Sequence, residues 1–177
     1  MKEEYAIVIE YLPNGYPLEK KMMPIVQAIG ENNFTLLELV PRRGITLEVG
    51  KKVYIGEGKR PEVYYILGRL HREKLTEAAK SQLQEFIKTT VKAREKEFVE
   101  FFNVAEAINK RIHQISLLPG IGKKHMQEII KQRKEKMFES FEDIKNRVQN
   151  MPDPGKAIEK RILQELTSIE RHNLFVK

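Results

Sequence analysis

The sequence predicts an α+β protein with two domains, a small β-barrel followed by an all-α domain. Hydrophobic residues recur with a period of two through most of residues 5–70, and beyond that segment the period becomes helical. Charge divides in the same way, because residues 1–73 hold 11 basic and 10 acidic side chains. Residues 74–177 hold 21 basic and 15 acidic side chains. We therefore predict a barrel in 1–73, a connecting helical segment in 74–102 and an all-α domain in 103–177.

The first domain is predicted to consist of short strands separated by turn residues. Ile, Val, Tyr and Leu dominate its apolar positions, and Gly, Pro and Asn interrupt them. The predicted strands cover residues 5–12, 25–29, 34–40, 45–49, 53–55 and 62–70. Short strands with frequent turns favour a closed or partly closed barrel, and this architecture is similar to an OB-like barrel.

Barrels of this kind often bind single-stranded nucleic acid by stacking bases on exposed aromatic side chains beside a basic groove. Tyr54, Tyr64 and Tyr65 are the candidates for stacking. A tyrosine in a strand is, however, more commonly part of the core or its rim. Possible secondary basic sites lie in the neighbouring turns, at Arg42, Arg43, Lys51, Lys52, Lys59 and Arg60.

Helices are predicted after the barrel. Thr76 is a candidate N-cap, and the apolar stripe that follows indicates one long helix or a broken pair reaching Phe102. A further helical pattern covers residues 103–116. Ser140 is a candidate cap for a later helix, and a final helix contains Ile158, Ile162 and Leu166.

Residues 117–124 read Leu-Leu-Pro-Gly-Ile-Gly-Lys-Lys and carry the chemistry that spacing can predict. Pro119 cannot continue a helix, and Gly120 and Gly122 permit a positive φ or the close approach of another backbone. Ile121 is predicted to point inward as a plug. Gly122 then opens a helix whose first N–H groups lack internal partners and whose first residues are lysines, which suits a phosphate oxygen.

This string between two amphipathic helices resembles the helix-hairpin-helix motif, an element that binds DNA and RNA without sequence specificity. The predicted nucleic-acid contacts lie in or just after the hairpin: Gly120, Ile121, Gly122, Lys123, Lys124, His125, Lys131, Arg133 and Lys134. Residues 103–136 hold 8 basic and 3 acidic side chains, which supports a nucleic-acid partner. The alternative is an ordinary corner between two helices with solvated lysines.

The hairpin segment is repeated with a period of 33 residues. Superposing Gly155 on Gly122 aligns Pro152 with Pro119 and Lys156 with Lys123. Helix-hairpin-helix motifs commonly occur in pairs, so the resemblance implies a tandem domain. In the second copy Asp153 replaces the first glycine and a proline replaces the central isoleucine, which predicts a degenerate hairpin that binds phosphate poorly or not at all.

No catalytic group, cofactor or metal is predicted. The chain has no cysteine, only two aspartates, and four histidines without metal-ligand spacing. Its 23 glutamates are scattered among lysines in the pattern of solvated ion pairs. No apolar run approaches the roughly 20 residues that span a bilayer, and no targeting segment is visible. We therefore expect a cytoplasmic protein that is not an enzyme and has no membrane partner.

Taken whole, the chain resembles an archaeal family known as domain of unknown function 655. The resemblance rests on residues 64–70, on the helix start at 75–80 and on 118–123. It implies a β-rich first part, a helix-hairpin-helix second part and a nucleic-acid partner, RNA or DNA, without an established activity. Two alternatives stay open, a protein-interaction adaptor and an enzyme that uses glutamates and a metal to process nucleic acid. The oligomeric state is open as well.

Overall fold

The computed structural model describes residues 2–177 and has a mixed α+β fold. The chain forms two compact units. One comprises the chain up to Glu85 together with Glu165–Lys177, and the other is Phe86–Gln164. Among the described residues, no helix is both long enough and apolar enough to cross a bilayer.

The first unit contains five strands, β1 (Tyr5–Leu12), β2 (Ile25–Gly30), β3 (Leu36–Pro41), β4 (Lys52–Tyr54) and β5 (Val63–Arg69). They lie in the order β4-β1-β2-β3-β5, and each neighbouring pair is antiparallel. The sheet curls into a half-barrel. The predicted α+β class and the β-rich first part are therefore confirmed.

The concave side of the sheet holds an apolar core to which every strand contributes. Side chains alternate between the two faces of a strand, so Val26 and Ala28 enter this core while Gln27 between them points to the opposite face. Gln27 is fully buried there and donates through Nε2 to the Lys74 carbonyl at 2.7 Å. This bond ties β2 to the segment that leads into the first helix.

One predicted strand of the barrel differs from the structure. Residues 45–49 do not form a strand, because Gly44 and Gly50 take φ of +80° and +89° and turn the chain at both ends of this loop. Leu47 nevertheless reaches the core from it. The sheet agrees with the partly closed form of the predicted barrel, because β4 pairs with β1 and β5 pairs with β3 but the two edge strands do not pair with each other within residues 2–177.

Five α-helices follow, α1 (Glu77–Ala93), α2 (Glu95–Val104), α3 (Lys123–Glu135), α4 (Phe141–Arg147) and α5 (Pro154–Thr167). The two predicted caps are confirmed. Thr76 Oγ1 accepts the Ala79 N–H at 3.0 Å, and Ser140 Oγ accepts the Asp143 N–H at 2.9 Å. The long stripe before Phe102 is a broken pair of helices that meet at Arg94.

The helix predicted over residues 103–116 is wrong. The structure has the end of α2, then an irregular loop, then a short 3-10 helix at Gln114–Leu117. Side-chain bonds replace helical ones here, since Asn109 Oδ1 accepts the N–H groups of Arg111 and Ile112 at 2.8 and 2.9 Å.

The end of the chain returns to the sheet unit. The Lys177 N–H donates to the Asn33 carbonyl at 3.1 Å, and Thr35 Oγ1 donates to the Lys177 carbonyl at 3.0 Å. For this reason the compact units differ from the predicted segments 1–73, 74–102 and 103–177, which assigned the last residues to the helical domain.

Asn103 joins the end of α2 to the chain before α4. Its Nδ2 donates to the Phe138 carbonyl at 3.0 Å and its Oδ1 accepts the Phe138 N–H at 2.7 Å, both in a buried environment. We expect Asn103→Ala to lower the free energy of unfolding by about 2 to 4 kcal/mol, because it leaves a buried backbone donor and acceptor without partners. Urea denaturation measures this loss. The exposed Asn146→Ala in α4 is the matched control and should change stability by less than about 0.5 kcal/mol.

Candidate functional site

The predicted hairpin forms a tight turn between the 3-10 helix and α3. Gly120 takes φ of +82°, a conformation that side chains disfavour, and so reverses the chain. Leu118 and Ile121 on either side of it are buried, so the expected inward plug is confirmed. The turn therefore holds its apolar side chains inside and presents its backbone to solvent at Gly120 and Gly122.

Three N–H groups are available at the start of α3. The ladder of the helix begins when the Met126 N–H donates to the Gly122 carbonyl at 3.0 Å. The N–H groups of Lys123, Lys124 and His125 precede that bond and make no hydrogen bond within residues 2–177. In contrast, the Ile121 N–H donates to the Leu118 carbonyl at 3.2 Å.

His125 accepts a hydrogen bond from the Gly122 N–H. Its Nδ1 accepts that group at an N···N distance of 3.2 Å, and its Nε2 lies 3.0 Å from the Asn150 carbonyl oxygen. This arrangement fits the tautomer with its proton on Nε2. Of the predicted backbone donors, the N–H groups of Ile121 and Gly122 therefore have partners inside the turn, whereas those of Gly120 and of residues 123–125 make no hydrogen bond within residues 2–177. The ring of His125 stabilises the turn.

Four lysines share one face of α3. At 100° per residue, Lys123, Lys124, Lys131 and Lys134 fall within an arc of about 100°, together with Gln127. All five are exposed. We call this set the lysine face. It begins at the available N–H groups and extends about 16 Å along the helix.

Arg133 lies on the opposite side of α3 and contacts protein. Its guanidinium donates to the carbonyls of Phe102 and Ala105 at 3.2 and 2.8 Å, where it caps the end of α2. Nucleic-acid contact by Arg133 stays a prediction, and one terminal nitrogen of its guanidinium serves the carbonyls of Phe102 and Ala105.

The segment that follows α4 repeats the hairpin in a modified form. The carbonyls of Leu117 and Asn150 are related by the 33-residue period, and each contacts a side chain of the other hairpin: His125 on α3 reaches the Asn150 carbonyl, and Arg161 on α5 donates to the Leu117 carbonyl at 3.4 Å. The two side chains themselves are not related by this period. At the position of Gly120, Asp153 Oδ1 accepts the Lys156 N–H at 3.1 Å. A carboxylate of the chain thus occupies the start of α5.

The possible secondary basic sites of the sheet unit divide into two groups. Four of them have partners in that unit: Arg42 donates to the Arg60 carbonyl, Arg60 to the Gly56 carbonyl, Lys51 pairs with Glu62 and Lys52 with Glu31. Arg43 and Lys59 are exposed and make no ion pair within residues 2–177. The six side chains therefore do not form one free basic patch.

The candidate tyrosines divide similarly. Tyr54 accepts the Gly58 N–H at 3.1 Å and packs edge to face on Tyr5, whereas Tyr64 is 64% exposed. Tyr65 is half-buried and its hydroxyl contacts the Met23 sulfur at 3.8 Å. In the part of the chain that the structure describes, no three His, Asp or Glu side chains are grouped to hold a metal ion.

His113 stabilises the 3-10 helix before the hairpin and depends on being uncharged. Its Nδ1 accepts the Ile115 N–H at 3.1 Å, and burial, followed by the nearby Arg133 charge, lowers its pKa. The ordinary pKa is 6.5, so the unfolded chain takes up this proton first and stability falls as the pH drops from about 6.5 through the folded pKa.

We therefore expect the melting temperature to fall between pH 7.5 and pH 5. His113→Asn keeps an acceptor for the Ile115 N–H but does not titrate, so its melting temperature should fall less over the same interval. Differential scanning calorimetry at several pH values measures the difference between the two proteins. Identical pH profiles would show that His113 is not the group responsible.

Comparisons with other proteins agree over almost the whole chain. A family model described as "Protein of unknown function (DUF655)" matches residues 2–177. The uncharacterized protein MJ0038 of Methanocaldococcus jannaschii is 43% identical over 99% of this chain and 80% of its own length. The crystal structure of Af1531 from Archaeoglobus fulgidus, assigned to the same family, superposes with a TM-score of 0.85 at 44% identity and covers 99% of this chain and 100% of the other. The chain belongs to the DUF655 family.

Proposed function

We propose that this protein binds the sugar-phosphate backbone of RNA or DNA through the first hairpin and the lysine face. The observation that carries the proposal is the position of three available N–H groups, at residues 123–125, at the end of an arc of exposed lysines. Backbone N–H groups at a helix start bind phosphate oxygens, and lysines add charge along the same path.

The size of the lysine face limits the number of phosphates. Each strand of a duplex advances about 3.4 Å along the axis per phosphate, so a 16 Å face spans about five of them and offers four lysines. Binding through about four contacts should have a dissociation constant of about 10⁻⁴ to 10⁻⁶ M and little sequence preference. These contacts do not involve the 2′-OH group, so RNA and DNA are both suitable partners.

The pair of hairpins supports a tandem helix-hairpin-helix arrangement in which the second member has a structural role. Its first turn is closed by Asp153, and a carboxylate there repels phosphate. Its contacts to the first hairpin stabilise the turn that is proposed to bind phosphate. We infer that the first hairpin binds the nucleic-acid backbone and that the second hairpin holds the first in position.

Gly122 offers a sharp test, because a side chain fits there. Its φ of −86° is ordinary, and an added Cβ would come no closer than 3.9 Å to His125 Nδ1. Gly122→Glu should therefore fold and place a carboxylate beside the N–H groups, weakening binding by about tenfold or more, while Gly122→Ala should bind nearly as wild type. Fluorescence anisotropy with labelled single-stranded and duplex RNA and DNA measures both variants.

The equivalent lysines of the two hairpins provide a second, matched test. Wild-type affinity should fall with salt with a slope of log K against log salt of about −3, from roughly −0.7 to −0.9 per contact. Lys123→Glu should weaken binding and make the salt slope shallower by about 1. Lys156→Glu, at the equivalent position 33 residues later, should leave both the affinity and the salt slope nearly unchanged. Equal losses for both variants would contradict the assignment to the first hairpin.

The remaining alternatives appear as separate outcomes of the same experiments. Salt-insensitive binding, or no binding together with self-association in sedimentation experiments, would favour an interaction adaptor. Cleavage of the labelled strands that depends on Mg²⁺ or Mn²⁺ would favour an enzyme that uses glutamates.

A further inference from the structure

The sheet unit contains a cavity of about 570 Å³ at the open end of the half-barrel. Its floor is apolar and consists of Leu37, Ile55 and Ile66, which belong to the concave core or pack against it. Residues 2–4 form one wall, since the Ile55 N–H donates to the Glu4 carbonyl at 2.8 Å. The volume lies within the range of about 300 to 1,000 Å³ that is usual for small-molecule sites.

Most charges around the cavity are already used. Lys2 pairs with Glu57 at 2.8 Å, and the Glu3 carboxylate accepts the N–H groups of Asn32 and Asn33. Two guanidinium groups remain, at Arg60 and Arg69, and the carboxylates of Glu3 and Glu4 line the same cavity. Within residues 2–177 neither arginine makes an ion pair. These two guanidinium groups are the part of the lining that can bind an anionic group.

The arginines and one aromatic ring are held by the local fold. Arg60 Nε donates to the Gly56 carbonyl at 2.8 Å, which leaves its terminal nitrogens for a ligand. Tyr54 packs on Gly56 so closely that a Cβ there would lie 2.4 Å from its hydroxyl, and that hydroxyl accepts the Gly58 N–H. Gly56 is thus required for the ring to line the cavity.

We propose that this cavity binds one nucleotide unit, a base on the apolar floor beside Tyr54 and a phosphate on Arg69 and Arg60. A flat, largely apolar group joined to a dianion matches the lining, and guanidinium groups bind phosphate in a bidentate manner. The site is distinct from the hairpin. Binding of an unstacked nucleotide within a single strand rests on the proposed nucleic-acid function, whereas binding of a free mononucleotide is independent of it.

NMR of the full chain with labelled Ile and Leu methyl groups tests this assignment, with AMP, UMP, adenosine and inorganic phosphate as probes. AMP and UMP should shift the methyl signals of Leu37, Ile55 and Ile66 with a dissociation constant of about 1 mM or below. Adenosine should bind at least about fivefold more weakly, and phosphate alone should leave the methyl signals in place.

Two matched variants separate the cavity from general charge. Arg69→Glu, at an exposed position on the rim, should weaken AMP binding by about tenfold or more. Arg43→Glu, exposed in a turn outside the cavity lining, should bind AMP as wild type. Gly122→Glu should also retain the AMP response, which separates failure of this site from failure of the hairpin. Unchanged methyl signals at about 10 mM AMP, or equal losses in Arg69→Glu and Arg43→Glu, would overturn the proposal.

Discussion

The geometry of the candidate site depends on the burial of Leu118 and Ile121 on both sides of Gly120. Pro119 does not continue the preceding helix, and Leu118 and Ile121 both turn inward here because the backbone between them reverses at Gly120, where φ is +82°. A residue with a Cβ is strained in this conformation. Once the plug is fixed, α3 has one possible start, and its first N–H groups face solvent with the lysines beside them.

The basic side chains of this protein divide by chemistry. Arg133 and Arg147 cap helix ends, the latter by donating to the Gln132 and Lys136 carbonyls at 2.7 and 2.6 Å. The planar guanidinium can satisfy two carbonyls at once, which suits this structural role. Within residues 2–177 the lysines of the lysine face have no such partners, and their side chains are exposed. Net charge alone would therefore overestimate the surface that can bind phosphate. The lysine face defines that surface better.

Local chemistry explains which parts of the structure could be predicted from the sequence. Thr76 and Ser140 cap helices through bonds to residues three positions away, so their role is visible in the sequence. Asn103, near the end of α2, binds Phe138, which lies 35 residues away in the sequence. The apolar spacing of residues 103–116 does not indicate this contact. The open edge between β4 and β5 depends equally on long-range pairing. Five of the six predicted strands and a partly closed barrel were therefore predictable, whereas the edges that stay unpaired were not.

Within the site, the helical phase carries information that composition lacks. Arg133 lies about 180° from Lys124 around α3, on the side of Ile129, and this phase alone places it away from the lysine face. The N–H groups of Ile121 and Gly122 were harder to assign, because their partners are Leu118 and a histidine side chain whose ring position follows from its second contact to Asn150.

The two proposed sites differ in what each can recognise. Backbone N–H groups and lysines recognise groups that every nucleotide shares, so the proposed hairpin contact would contribute affinity that depends on salt and carries no information about sequence. An apolar cavity accepts a base only after the base has left its stack, and unstacking costs a few kcal/mol in a duplex but much less in a single strand. Preference for single-stranded or looped nucleic acid would then originate in the half-barrel, because the hairpin chemistry treats both forms alike.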